Sequence, residues 1–229
     1  MVSALPETGQ LPVYTLTFAN PPSMDIASTC RISHGDVIKI EIPDFKPKSY
    51  TMSATRPGEF DVTFKLYPGG RCSGYLDSIT VGSTVDVFVM GQKERNEGTH
   101  IGVIAFGVGI TEAYPIAKLE LERPGEGTVK LLWGARTFGD MFWHAEIEKL
   151  SEEYPDRFLV TRVLSREDKS GCLKGRIDSA VLSATFGAWT SLPGARFLLV
   201  GTKPMMREAA DKLTSIGFGN HPPMLLYVP

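Results

Sequence analysis

The sequence predicts an antiparallel β barrel followed by an α/β domain built on a parallel sheet. Three observations carry this. The first part, to about Gly98, is a series of short alternating strands separated by turn residues. From Thr99 onward, continuous apolar runs alternate with amphipathic helical stretches. At 229 residues the chain is long enough for two domains, and its 42% apolar content suits packed cores. The domains are predicted as residues 1–97 and 98–229, joined through the polar stretch Gln92 to Gly98.

In the first part, Val13 to Phe18 reads as a strand stopped by Asn20-Pro21-Pro22. His34-Gly35-Asp36 marks a turn, and Val37 to Ile42 alternates as the next strand. Ser49 to Ser53, Phe60 to Tyr67 and Thr84 to Met90 follow, with a short helix over Ser73 to Ser78. In the second part, His100 to Phe106 and Thr128 to Trp133 have the unbroken apolar character of strands covered on both faces. Helices are expected at Thr111 to Leu121, at Asp140 to Leu150 and at Pro204 to Ile216, the last with proline where its missing N–H costs nothing. Arg157 to Leu164, Arg196 to Val200 and Leu225 to Val228 complete the strands, which right-handed crossovers make parallel.

Composition excludes several classes of function. A formal charge of −2 argues against nucleic-acid binding. No run reaches the roughly 18 apolar residues of a membrane span, and Met1 to Gln10 has no secretory or myristoylation signal. A cytoplasmic location is expected, with an anchor removed from the chain left open. Cys30, Cys72 and Cys172 form no C-x-x-C pair, and His34, His100, His144 and His221 show no ligand spacing. No metal site is expected. No G-x-S-x-G elbow supports a hydrolase.

The informative segments lie elsewhere. Lys48-Ser49-Tyr50-Thr51-Met52-Ser53 sets a cation and an aromatic ring on the same side of a strand, where a ring can stack and a diphosphate can be met. An ordinary half-exposed strand is the alternative. Gly69-Gly70-Arg71-Cys72-Ser73-Gly74-Tyr75-Leu76 opens a helix with glycines, so its backbone N–H groups can approach an anion, with the Ser73 hydroxyl as a further donor. A simple hairpin turn would also read this way. Gly107-Val108-Gly109-Ile110-Thr111 stands between a buried strand and a helix, the setting of a dinucleotide phosphate turn, though it lacks a third glycine.

In this order the segments resemble the ferredoxin–NADP reductase superfamily, most closely its cytochrome-b5 reductase-like and oxygenase-reductase members. The resemblance runs over roughly residues 10 to 229. The family's first flavin motif, R-x-Y-[ST]-x-x-S or similar, is met with Lys48 in place of arginine, and its G-G-[KR]-x-S-x-[YF]-L motif is met from Gly69 to Leu76. Phe64-Lys65-Leu66-Tyr67 is similar to a family strand ending in a basic residue and an aromatic. The G-x-G-[IT]-[TS]-P motif is matched through Thr111 and departs at Glu112.

The resemblance implies a flavin-binding barrel before a Rossmann-like nucleotide domain. It implies a flavoprotein reductase taking hydride from NADH or NADPH onto FAD and passing electrons to an acceptor, such as a haem or iron–sulfur protein. Tyr50 would lie against the isoalloxazine and Thr51 would donate to its edge, the two forming the catalytic pair. Lys48, Gly70, Arg71, Cys72 and Ser73 would hold the diphosphate, with Ser53, Lys65 and Tyr67 as further FAD contacts. Lys48 cannot make the bidentate fork of arginine, so a weaker hold on FAD is expected.

Gly107, Gly109 and Thr111 would take the nucleotide diphosphate. Trp133-Gly134-Ala135-Arg136-Thr137 is similar to a segment lining the adenosine, and Arg136, Ser165 and Arg166 are its candidate contacts. Where the family has C-G-P-x-x-M, with the cysteine facing the nicotinamide, this chain has Gly201-Thr202-Lys203-Pro204-Met205-Met206. Gly201 and Met206 are kept as contacts, and activity is expected to survive the missing cysteine. Glu112 is expected as a solvated first-turn acid, or else as a proton or partner contact. Two other readings stay open: a catalytically weakened interaction subunit, and an electron-transfer subunit of an oxygenase.

Overall fold

The computed structural model describes residues 11–20, 37–90, 98–125, 127–219 and 224–227. The predicted turn at His34 to Asp36, together with Cys30, His221 and most of the Gln92 to Gly98 linker, lies outside them. The chain divides into two compact units, Met1–Glu94 and Arg95–Val228.

Among the described residues, the first unit forms a five-stranded sheet with every neighbouring pair antiparallel. Its strands are β1 (Val13–Ala19), β2 (Val37–Ile42), β3 (Phe45–Arg56), β4 (Glu59–Lys65) and β5 (Val87–Val89), in spatial order β1-β4-β3-β2-β5. Strand β3 is longer than expected because tight turns at both ends return it directly into its neighbours. Asp44 (φ 55°) makes the first and Gly58 (φ 78°) the second. Register shifts opposite Ile40 to Ile42 and at Met52 to Ala54 are bulges, which bend and twist the strand. The alternation read from the sequence fills one core: Ile38, Ile40, Ile42, Met52, Val62, Phe64 and Leu76 are all buried. Leu76 comes from helix α1 (Arg71–Ser78), which begins two residues before the expected Ser73. Strand β4 ends at Lys65, so Leu66 and Tyr67 lie beyond it, and β5 keeps only three residues of the expected Thr84 to Met90.

The second unit is a six-stranded, all-parallel sheet in the order β11-β10-β6-β7-β8-β9. These are β6 (His100–Phe106), β7 (Thr128–Ala135), β8 (Phe158–Leu164), β9 (Leu173–Lys174), β10 (Ala195–Gly201) and β11 (Met224–Tyr227). A 3-10 turn, Gly107–Gly109, leads from β6 into helix α2 (Ile110–Glu122). The chain proceeds outward through β7, β8 and β9, then returns to the other side of β6. The direction therefore switches between β6 and β10, and a crevice at the carboxyl ends of such strands is where this topology takes ligands.

Helix α3 (His144–Glu153) starts four residues after the expected Asp140. Asp140 belongs instead to a short 3-10 turn, Phe138–Asp140, and Trp143 before the helix is left-handed (φ 60°). Helix α4 (Ser179–Phe186) and the edge strand β9 were not anticipated. Helix α5 (Lys203–Leu213) continues into a π-helical turn, Thr214–Phe218, broken by Gly217 at φ 113°. One face of the sheet and helices α4 and α5 enclose Ile104, Leu132, Leu199, Leu182, Phe186, Phe197 and Met206. Among the described residues no helix is long and apolar enough to cross a membrane, and no cluster of metal-ligating side chains forms.

Candidate functional site

In the first unit the candidate residues gather along β3 and at the start of α1. Lys48, Tyr50 and Met52 alternate on one side of β3. Met52 is fully buried, while Lys48 and Tyr50 are half-buried. Tyr50 packs on the edge of the core, as do Cys72 and Tyr75 from α1. Burial raises its phenol pKa, the nearby Cys72 thiol raises it further, and the side chain stays neutral throughout the physiological range. Thr51 and Ser53 lie on the opposite side. The Ser53 hydroxyl is engaged within the sheet, 2.9 Å from Thr63 Oγ1 and donating to the Asp61 carbonyl at 3.3 Å. A role for it in holding a ligand competes with those bonds. Lys65 is buried at the end of β4, and Tyr67 just beyond it is 45% exposed.

The glycine-rich segment forms a closed turn. Gly69 adopts φ 67°, the Gly70 N–H donates to the Tyr67 carbonyl at 2.8 Å, and the Gly74 N–H donates to the Gly70 carbonyl at 2.7 Å. Ser73 is the clamp: its Oγ accepts from the Tyr67 N–H at 3.1 Å and donates to the Gly70 carbonyl at 3.4 Å. The hydroxyl expected to donate to an anion is thus bonded within the turn, its own donation a long one. A Cβ on Gly70 would sit 2.5 Å from Ser73 Oγ and 3.0 Å from the Tyr67 carbonyl, so the tight turn requires glycine there. Helix α1 has no side-chain cap and no acid in its first turn. Its first N–H groups, at Arg71, Cys72 and Ser73, have no partner within the helix, and the dipole leaves that end positive. The Arg71 guanidinium lies 5.1 Å from the centroid of Phe45, which ties the helix start to the start of β3. These residues fit a diphosphate: backbone donors, positive charge and no competing carboxylate.

In the second unit the candidates converge on the carboxyl ends of the strands. Gly107 is left-handed (φ 56°), and its carbonyl accepts the indole N–H of the fully buried Trp133 at 3.0 Å. Gly109 passes so close to β10 that a Cβ would lie 2.6 Å from the Val200 carbonyl oxygen. The Thr111 hydroxyl donates to the Val108 carbonyl at 2.9 Å. At the ends of β7 and β8 the Ser165 and Arg166 N–H groups donate to the carbonyls of Ala135 and Arg136, at 3.0 and 2.8 Å. Arg166 and Ser165 are exposed. Arg136 is paired with Asp140, 3.4 Å away and nearly buried, and Asp140 also accepts from the Thr137 hydroxyl at 3.1 Å. Glu167 accepts the Phe138 N–H at 2.6 Å. The Phe138 ring stacks on His144 at 4.3 Å, with Lys169 Nζ 4.2 Å from its centroid. Burial is the main cause of a lowered His144 pKa, with the Arg162 charge adding to it, so the imidazole is held neutral.

One expectation is corrected, and two candidate residues prove to be buried. Met206 is fully buried among core side chains. Glu112 is 3% exposed rather than solvated, because the first turn of α2 is covered all round. Gly201 is also buried, and the space in front of its Cα is filled: a Cβ there would lie 2.9 Å from the Phe106 ring. Phe106, Asp140 and Glu167 were not singled out from the sequence. Only Thr137-Phe138-Gly139-Asp140 carried a signal, its hydroxyl and carboxylate at capping spacing.

Residues 103–211 match the family model described as the oxidoreductase NAD-binding domain. The cytochrome b5 reductase domain of Ulva prolifera nitrate reductase superposes with a TM-score of 0.81 at 21% identity, covering 98% of this chain and 94% of that one. The ferredoxin–NADP+ reductase of Plasmodium falciparum superposes at 0.71 with 15% identity, covering 100% and 93%. This is the ferredoxin–NADP reductase fold.

Among curated relatives, NADH-cytochrome b5 reductase 1 of Cryptococcus neoformans is 31% identical over 173 residues, 70% of this chain and 58% of that protein. NADH–cytochrome b5 reductase 1 of Arabidopsis thaliana is 26% identical over 217 residues, 91% of this chain and 73% of its own length. The chain thus resembles cytochrome b5 reductases while spanning somewhat under two thirds of the first of these relatives.

Proposed function

We propose that the chain is an FAD-dependent oxidoreductase that takes hydride from NADH or NADPH and delivers electrons to a one-electron acceptor protein, haem or iron–sulfur. Residues 1–97 hold the flavin and residues 98–229 the nucleotide. The observation that carries this reading is the turn from Tyr67 to Ser73, closed by its own hydrogen bonds and opening an uncapped, acid-free helix. A plain dehydrogenase needs one anion-accepting turn, at the end of β6. This chain has a second, on a separate antiparallel unit.

Lys48, Arg71 and the first N–H groups of α1 hold the FAD diphosphate, with Gly70 keeping the turn tight. Tyr50, neutral and braced on the core, gives the isoalloxazine a fixed aromatic neighbour. The Thr51 hydroxyl donates to the flavin edge, and Ser53, Lys65, Tyr67 and Cys72 complete that side. The Gly107–Gly109 turn, Thr111 and the start of α2 receive the nucleotide diphosphate, while Arg136, Ser165 and Arg166 border the adenosine and Gly201 the nicotinamide. Bound FAD supplies the chemistry of accepting hydride and releasing electrons singly. The protein's own contribution is positioning, and no side-chain acid or base is needed for hydride transfer. The Asp140 carboxylate held against Arg136 favours NADH, since a 2′-phosphate would have to displace it. The relatives named as NADH-cytochrome b5 reductases support a haem acceptor. A cytoplasmic location completes the proposal.

The test is the visible spectrum of the purified chain, followed without oxygen as NADH and then NADPH are added. Flavin bands that bleach with one nucleotide support the reading and settle the choice of donor. A chain that takes up no FAD refutes it.

A further inference from the structure

Resting on the nucleotide reading above, we infer that the Phe106 ring is the surface against which the nicotinamide end of the dinucleotide is positioned. Phe106 is the last residue of β6, at the point where the strand order reverses. Its register partner on β7 is Gly134, and continuing the β10 register past Val200 and Ala105 sets Gly201 beside it on the other side. At the carboxyl edge of three neighbouring strands, Gly201, Phe106 and Gly134 thus form a transverse row. A Cβ at Gly201 would lie 2.9 and 3.0 Å from Phe106 ring and Cβ atoms, and one at Gly134 would lie 3.8 Å from the same ring. The bare backbone at Gly201 gives the ring its place, while the space over Gly134 is taken by Ile177, whose Cδ1 would lie 3.0 Å from a Cβ there.

A side chain that only filled the core would be covered. Phe106, at the carboxyl end of its strand, is only partly buried and packs against the core that holds Ile104 and Leu199. The order of contacts along the strand ends identifies what meets it. Adenosine is assigned to the ends of β7 and β8, through Arg136, Ser165 and Arg166, and the diphosphate to the Gly107–Gly109 turn after β6. A dinucleotide continuing in the same direction brings its remaining ring to the β6–β10 crevice. There it meets the aromatic side chain. Nicotinamide is flat and is positively charged when oxidised, and an aromatic face attracts such a ring by contact and by its quadrupole. Gly201 therefore leaves no hole at the nicotinamide position: the neighbouring strand supplies the side chain.

The experiment is calorimetric titration of the FAD-loaded full chain with NAD+ and, separately, with ADP-ribose, which lacks the nicotinamide. Phe106→Leu keeps apolar bulk but removes the ring. It should weaken NAD+ by roughly two- to tenfold, the range of an aromatic contact, and leave ADP-ribose within about twofold. Gly201→Ala should act the same way by forcing the ring aside; if that variant does not fold, Phe106→Leu decides alone. Equal weakening of both ligands, or no loss for NAD+, overturns the inference while leaving the reductase reading intact. Wild-type protein that binds neither ligand overturns the nucleotide reading itself.

Discussion

Gly109→Ala should destabilise the second unit through one contact. The added Cβ would meet the Val200 carbonyl oxygen at 2.6 Å, its carbon at 3.0 Å and Cγ1 at 3.2 Å. The oxygen is about 0.8 Å inside ordinary van der Waals contact, and it belongs to the backbone of a central parallel strand, where it cannot swing away. Relief requires the turn and α2 to lift from β10, and strain of this kind costs about 1–3 kcal/mol. With an unfolding entropy of about 2.1 cal/mol/K per residue, the melting temperature of the unit should fall by roughly 4–11 °C. Gly107 is the control. Nothing lies within 4 Å of a Cβ there, but its φ of 56° penalises any L side chain by about 1–2 kcal/mol. Asparagine tolerates that backbone region, so Gly107→Asn should be milder than Gly107→Ala, whereas at Gly109 asparagine should be no better than alanine. Differential scanning calorimetry reads both series. A Gly109→Ala protein melting within about 1 °C of wild type would refute the steric argument.

Asp178 caps α4 by accepting the Val181 N–H at 2.9 Å, so Asp178→Ala should cost about 1 kcal/mol in a denaturant titration, and Asp178→Asn much less. Ser73→Ala leaves the Tyr67 N–H without its acceptor and should cost about 1–2 kcal/mol in the first unit while lowering the FAD retained through dialysis; unchanged retention would show that the clamp does not shape the turn. The His144 imidazole should titrate below its usual value of about 6.5 by NMR. Because the folded pKa is the lower one, the stability from the neutral ring is present above about pH 6.5 and is lost as pH falls through the folded pKa. An upward shift would mean that burial is not the dominant influence.

The strands were legible wherever periodicity was strong. His100 to Phe106 and Val37 to Ile42 are found at their expected bounds because covered and half-covered faces leave different patterns. The turns at Gly69-Gly70 and Gly107 to Gly109 were legible because only glycine serves there. Helix α4 was missed although Asp178 announces it, since Ser179 to Phe186 mixes small and β-branched residues without a polar face. The start of α3 was misplaced because Asp140 looks like a first-turn acid and is occupied by Arg136 and Thr137 instead. The burial of Glu112 and Met206 depends on which elements pack over them, and local sequence holds no record of that. The same limit hid Phe106: its neighbour Gly201 is 95 residues away in the chain.

The Gly201–Phe106–Gly134 row also constrains how this edge of the protein can change by mutation. A side chain introduced at 201 alone collides with the ring, and loss of the ring alone leaves the space in front of Gly201 unfilled. Substitutions at 106 and 201 are therefore coupled, each tolerated best in the presence of the other. Positions 106 and 201 constrain one another, and a change at either is costly when made alone.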